Sequence, residues 1–88
     1  MSNLTIKFSS NADFNVIRID DEEIIFDENN IWKDGALKPG IHVLTWRMKG
    51  GKGDKYVLEI VSPASASWKR EVTLDSFGLD FGYHEIEL

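Results

Sequence analysis

"LKPGIHVLTWRMKGGKGDKYVLEIV", residues 37–61, carries the most regular patterning in the chain. Pro39 and Gly40 form a turn, and Ile41 to Met48 then runs through β-branched and aromatic residues that fit a pleated surface. The glycines of "GGKG" interrupt that run. It resumes in "KYVLEIV", where Tyr56, Leu58 and Ile60 keep period two while Lys55 and Glu59 take the other phase. Two strands around a glycine-rich connection predict a β-hairpin over residues 41–61, with the glycines supplying positive φ angles and a bulge.

The same reading extends outward. "LTIKF" places Leu4, Ile6 and Phe8 on one face, and "FNVIRI" and "EIIF" form two further short strands. "DENNIWKDGA" reads as a loop carrying Ile31 and Trp32. Beyond Pro63, "SWKREVTL" alternates Trp68, Val72 and Leu74 against Lys69 and Glu71, with Arg70 the exception on the buried phase. In "FGLDFGYHEIEL", Phe77, Leu79, Phe81 and Tyr83 keep one parity while Ile86 and Leu88 take the other. One strand cannot bury both sets on one face, so a bulge or tight bend is expected near Gly82, ahead of a terminal strand from about Tyr83.

Length allows one domain over residues 1–88, and the absence of cysteine leaves burial and backbone pairing to stabilise it. About seven short strands separated by turn signals predict an all-β fold, a small antiparallel two-sheet β-sandwich of the immunoglobulin-like kind. A small β-barrel is the alternative. The opening "MSNLTIKFSS" lacks the basic and apolar regions of a signal peptide, and no apolar run approaches the roughly 20 residues that span a bilayer. A cytoplasmic location without membrane insertion is favoured on those grounds.

Fifteen acids against ten bases give a net charge of -5, which disfavours nucleic acid as a partner. The charge is uneven. Asp20 to Asp34 holds seven acids and one base, whereas Arg47 to Lys55 holds four bases and one acid.

"NVIRIDDEEI" followed by "LKPGIHVLTW" resembles bacterial PEGA-type and related immunoglobulin-like modules, through Val16, Ile19, Asp20, Leu37, Pro39, Gly40 and His42. Asp21 departs from the glycine usual there, and no Thr-Pro precedes the Pro-Gly turn. The resemblance covers about a quarter of the chain and consists mostly of turn chemistry. It implies a structural or interaction module and carries no catalytic residue over.

The chemical motifs fail one by one. "GGKGDK" lacks the P-loop's first glycine and its Ser or Thr, since Trp46 and Gly53 occupy those places, and no helix follows it. His42 and His84 have no metal-ligand spacing, and "HEIEL" puts Leu88 where a second histidine is needed. "DENNIWKDG" puts Trp32 at the glycine of a calcium loop. None of the seven serines lies in a nucleophile elbow. The reading is therefore of a protein that is not an enzyme and has no catalytic, cofactor or metal residues.

What remains is a non-catalytic protein-interaction or structural module, a component or adaptor of a larger assembly, with a protein as its partner. Two alternatives stay open: a carbohydrate-binding module using an exposed tryptophan, and a small inhibitor of a basic target. Trp46 shares parity with Leu44 and Met48, and Trp68 with Val72 and Leu74, which predicts a core role for both. Trp32 lies in the acidic stretch. The expected partner-binding surface is accordingly Trp32 with Ile31, ringed by Asp27, Glu28 and Asp34.

Overall fold

Period-two alternation governs the whole chain. A computed structural model describes residues 2–88 and contains eight strands: β1 (Ser2–Ser10), β2 (Phe14–Ile19), β3 (Glu22–Glu23), β4 (Ile31–Leu37), β5 (Ile41–Lys49), β6 (Lys55–Ser62), β7 (Trp68–Thr73) and β8 (Leu79–Glu87). They form two antiparallel four-stranded sheets, ordered β4-β1-β6-β7 and β3-β2-β5-β8, that pack as a β-sandwich. Strands β1, β2, β5, β6 and β8 turn alternate side chains into the core. Leu4 and Ile6, Ile17 and Ile19, Leu44, Trp46 and Met48, Tyr56, Leu58 and Ile60, and Ile86 meet in one buried cluster. Full burial of each such side chain contributes about 1.5–3 kcal/mol.

The structure departs from the sequence expectation in three places. First, residues 41–61 are not a hairpin: β5 pairs with β2 and β8, β6 pairs with β1 and β7, and residues 50–54 cross from one sheet to the other. Both strands bury an apolar face completely, and stacking those faces removes more apolar surface from water than edge pairing would. The crossing is held by backbone contacts. Gly50 N–H donates to Gly78 O at 2.8 Å, and at Gly78, with φ +67°, an added Cβ would lie 2.1 Å from Gly50 O.

Second, the stretch expected as a loop splits into a turn and a strand. Asp27 closes the turn, its Oδ1 accepting the N–H groups of Asn29 and Ile31, each at 2.9 Å, and β4 then runs along β1 with Ile6 opposite Trp32. The strand breaks register near Leu4, where Lys33, Asp34 and Gly35 give little apolar patterning to find. "EIIF" contributes only Glu23 to the two-residue β3, with Ile24 buried just beyond it.

Third, β8 pairs with β5 from Leu79 to Glu87 without a shift in register, so Gly82 sits in an unbroken strand. Both apolar parities of that segment are real. One faces the core through Ile86, and the other faces out, with Leu79 56%, Phe81 75% and Tyr83 70% exposed.

Candidate interaction surface

The predicted patch does not gather on one side. Trp32 is half-buried and packs against the core, whereas Ile31, one residue away in a strand, lies on the opposite face beside Lys7, Val57 and Glu59. Asp27 is committed to its turn, and Asp34 Oδ1 accepts the Ala36 N–H at 2.7 Å. Glu28 is exposed in the turn. Trp32 and Asp34 do share a groove of about 390 Å³ between the edges of β3 and β4, with Asp20, Glu22 and Glu23 on its rim. No tryptophan is among the exposed large apolar residues: Trp46 is buried, and Trp32 and Trp68 are half-buried against the core.

The exposed apolar surface lies elsewhere, on the outer face of the second sheet. Strand registers set Phe14, Lys49 and Leu79 in one row, Val16, Arg47 and Phe81 in the next, and Arg18, Thr45 and Tyr83 in a third. Phe14 is 50% exposed, and Phe77, just before β8, is 85% exposed. These three rows hold Arg18, Arg47 and Lys49 and no acid, on a chain whose net charge is -5. Glu85 and Glu87 lie further along β8, opposite Val43 and Ile41. A shallow depression of about 460 Å³ is bordered by Arg18, Thr45, Arg47, Phe81 and Tyr83.

The inner side of β8 is braced against β7. Tyr56 donates its hydroxyl proton to Asp80, Arg70 Nε donates to the Tyr56 oxygen at 2.8 Å, and Arg70 Nη2 reaches Asp80 Oδ2 at 3.2 Å. This accounts for Arg70 on a buried parity: its head bridges the two sheets and lies 5.3 Å from the Trp46 ring centroid. Burial and the Asp80 hydrogen bond push the Tyr56 phenol up to about 12. Beside it His84 stacks on Trp68, with centroids 4.3 Å apart, and burial lowers its pKa. The arrangement ties β8 to β6 and β7 through their inward side chains.

At the other end, His42 is fixed through both ring nitrogens. Its Nδ1 meets Asp20 Oδ2 at 2.6 Å and its Nε2 meets Lys38 O at 2.7 Å. Two acceptors suit a doubly protonated ring, and the Lys38 carbonyl, followed by Asp20, raises its pKa. Asp20 Oδ1 also accepts the Val43 N–H at 2.9 Å, so one carboxylate ties the β2–β3 turn to the start of β5.

Of the residues missed by pattern reading, Phe14, Arg18, Arg47, Phe81 and Tyr83, the last two had one signal. The C-terminal segment carries more apolar side chains than one face of one strand can bury, so the surplus belongs outside. No protein-family model, curated protein or solved structure significantly matches the chain.

Proposed function

We propose that the chain is a non-catalytic protein-binding module that presents the outer face of β2, β5 and β8 to its partner. The observation that carries this reading is the exposure of Phe14, Leu79, Phe81 and Tyr83 on one face interleaved with Arg18, Arg47 and Lys49. Contiguous exposed apolar surface rimmed by charge marks interaction sites, and tyrosine and arginine are enriched among the side chains that dominate interface energy. The partner is a protein that offers carboxylates around apolar recesses. The braced inner side of β8 supports this role, because a face that does not rearrange loses little entropy on binding. The Asp20–His42 tie, formed by two positions of the PEGA-like motif, supports a scaffold of that immunoglobulin-like kind.

The test compares wild-type protein with Phe81→Ala and Arg47→Glu as immobilised bait. A specific partner retained by wild type and lost from both variants, with circular dichroism unchanged, is the expected result. Equal retention by all three overturns the reading.

The depression beside Phe81 and Tyr83 favours a second reading, carbohydrate binding, in which the rings stack on a sugar face while Arg18 and Thr45 donate hydrogen bonds. Binding of a neutral glycan that is lost with Tyr83→Ala and indifferent to salt would select it over the first.

A further inference from the structure

We infer that β8 is the edge along which two copies of this chain join, antiparallel and about a two-fold axis at Tyr83, to make one continuous sheet. This goes beyond the partner reading and does not depend on it.

The backbone shows which groups are free. Gly40 and Leu88 exchange both of their hydrogen bonds, each at 2.9 Å, and Gly50 N–H donates to Gly78 O. Antiparallel pairing alternates bonded and non-bonded pairs, so Asp80, Gly82, His84 and Ile86 face β5. Leu79, Phe81, Tyr83, Glu85 and Glu87 therefore turn their N–H and C=O groups to the open edge, and among the described residues no strand pairs there.

The other three edges are protected. β3 is two residues long, β4 shifts register near Leu4 and carries Lys33, and β7 spans only six residues. β8 has nine residues and no proline, and its inward charge, Asp80, is already held by Arg70 and Tyr56.

Charge identifies the occupant. Along the outer face of β8 the first half, Leu79 and Phe81, borders Lys49 and Arg47, while the second half carries Glu85 and Glu87. Antiparallel pairing centred on Tyr83 sets Phe81 opposite Glu85 and Leu79 opposite Glu87 of the second copy. Arg47 then lies two strands from that Glu85, about 10 Å between backbones, which two long side chains close. A parallel pairing through the same edge would turn the second copy over and put its Glu85 and Glu87 on the opposite face, away from Arg47 and Lys49. Complementarity under a two-fold axis is what a self-pairing interface requires.

The primary experiment uses unaltered protein and amide hydrogen exchange at concentrations from about 10 µM to about 1 mM. The amides of Leu79, Phe81, Tyr83, Glu85 and Glu87 should slow at least about tenfold as concentration rises, while those of Gly82 and His84, already bonded to β5, stay unchanged. Open-edge amides that exchange at one fast rate across that range overturn the proposal. A second experiment reverses charge: Glu85→Lys with Glu87→Lys in one chain, Arg47→Glu with Lys49→Glu in another. Each alone should sediment as a monomer, and an equimolar mixture should form a heterodimer. A mixture that stays monomeric also overturns it. A monomer that retains its protein partner refutes only the self-pairing. A dimer whose Phe81→Ala variant keeps the partner refutes only the partner reading.

Discussion

Gly82 lies opposite Trp46 across the β5–β8 pair, and a Cβ at Gly82 would stand 2.7 Å from Cζ2 of the indole and 3.1 Å from Cε2. The glycine lets the indole lie against β8, with Trp68 5.5 Å and Arg70 5.3 Å away. Trp46 Nε1 is buried without a hydrogen-bond partner, so packing rather than polar contact positions this ring.

Trp46→Ala is expected to cost about 3–5 kcal/mol, the range for emptying a buried aromatic site. Gly82→Ala should cost about 1–3 kcal/mol, because the ring it would displace is hemmed in by Trp68 and Arg70. The two should not add: with the indole gone, Gly82→Ala should become nearly neutral. Denaturant midpoints of the two single variants and the double variant check this, and additive costs would refute it.

The turn between β2 and β3 gives a contrast between neighbours. Asp20 and Asp21 both have positive φ, 50° and 70°, the signature of a two-residue turn that prefers glycine. The Asp20 carboxylate accepts from Val43 and meets His42, contacts that glycine could not make. Asp21→Gly should therefore leave stability unchanged or raise it by up to about 1 kcal/mol, whereas Asp20→Gly should lower it by about 1–3 kcal/mol. Thermal melts of both variants check the ordering.

The histidines have opposite pH signatures. The Lys38 carbonyl and Asp20 raise the pKa of His42, so the folded state binds the proton more tightly. That contribution is fully present below the unfolded value near 6.5 and is lost as pH rises through the folded value. Burial lowers the pKa of His84, so its contribution is present at higher pH and lost as pH falls below about 6.5. Between pH about 5 and about 8 the two oppose each other in wild type. His42→Asn should make stability fall as pH drops across that window, and His84→Asn should make it rise. Denaturant titrations at a series of pH values read both slopes.

Alternation made the strand faces legible: Leu44, Trp46 and Met48 and then Tyr56, Leu58 and Ile60 are buried as their parity predicts. Strand partners were not legible, because period two identifies a buried face without saying what covers it. β5 and β6 are adjacent in sequence and belong to different sheets. β4 was hidden by its composition: Lys33, Asp34 and Gly35 read as loop, and only pairing with β1 makes them a strand. The candidate surface was hidden by the assumption that an apolar parity is a buried one. That holds for Ile86 and fails for Phe81.

The last prediction separates folding from binding in the aromatic residues. Trp32 is half-buried against the core, opposite Ile6, so Trp32→Ala should cost about 2–4 kcal/mol of stability. Its effect on a partner bound at β8 should be negligible. Asp27→Lys should also act through folding, because its Oδ1 holds the Asn29 and Ile31 amides that set the entry to β4. Phe81 is 75% exposed on the outer face, so Phe81→Ala should change stability by no more than about 0.5 kcal/mol. The same change should weaken partner binding by about 2 kcal/mol or more. Denaturation and affinity measured on the same three variants give the answer. If Trp32→Ala keeps its stability and loses the partner while Phe81→Ala loses neither, the binding surface lies at the β3–β4 groove and not on the face of β8.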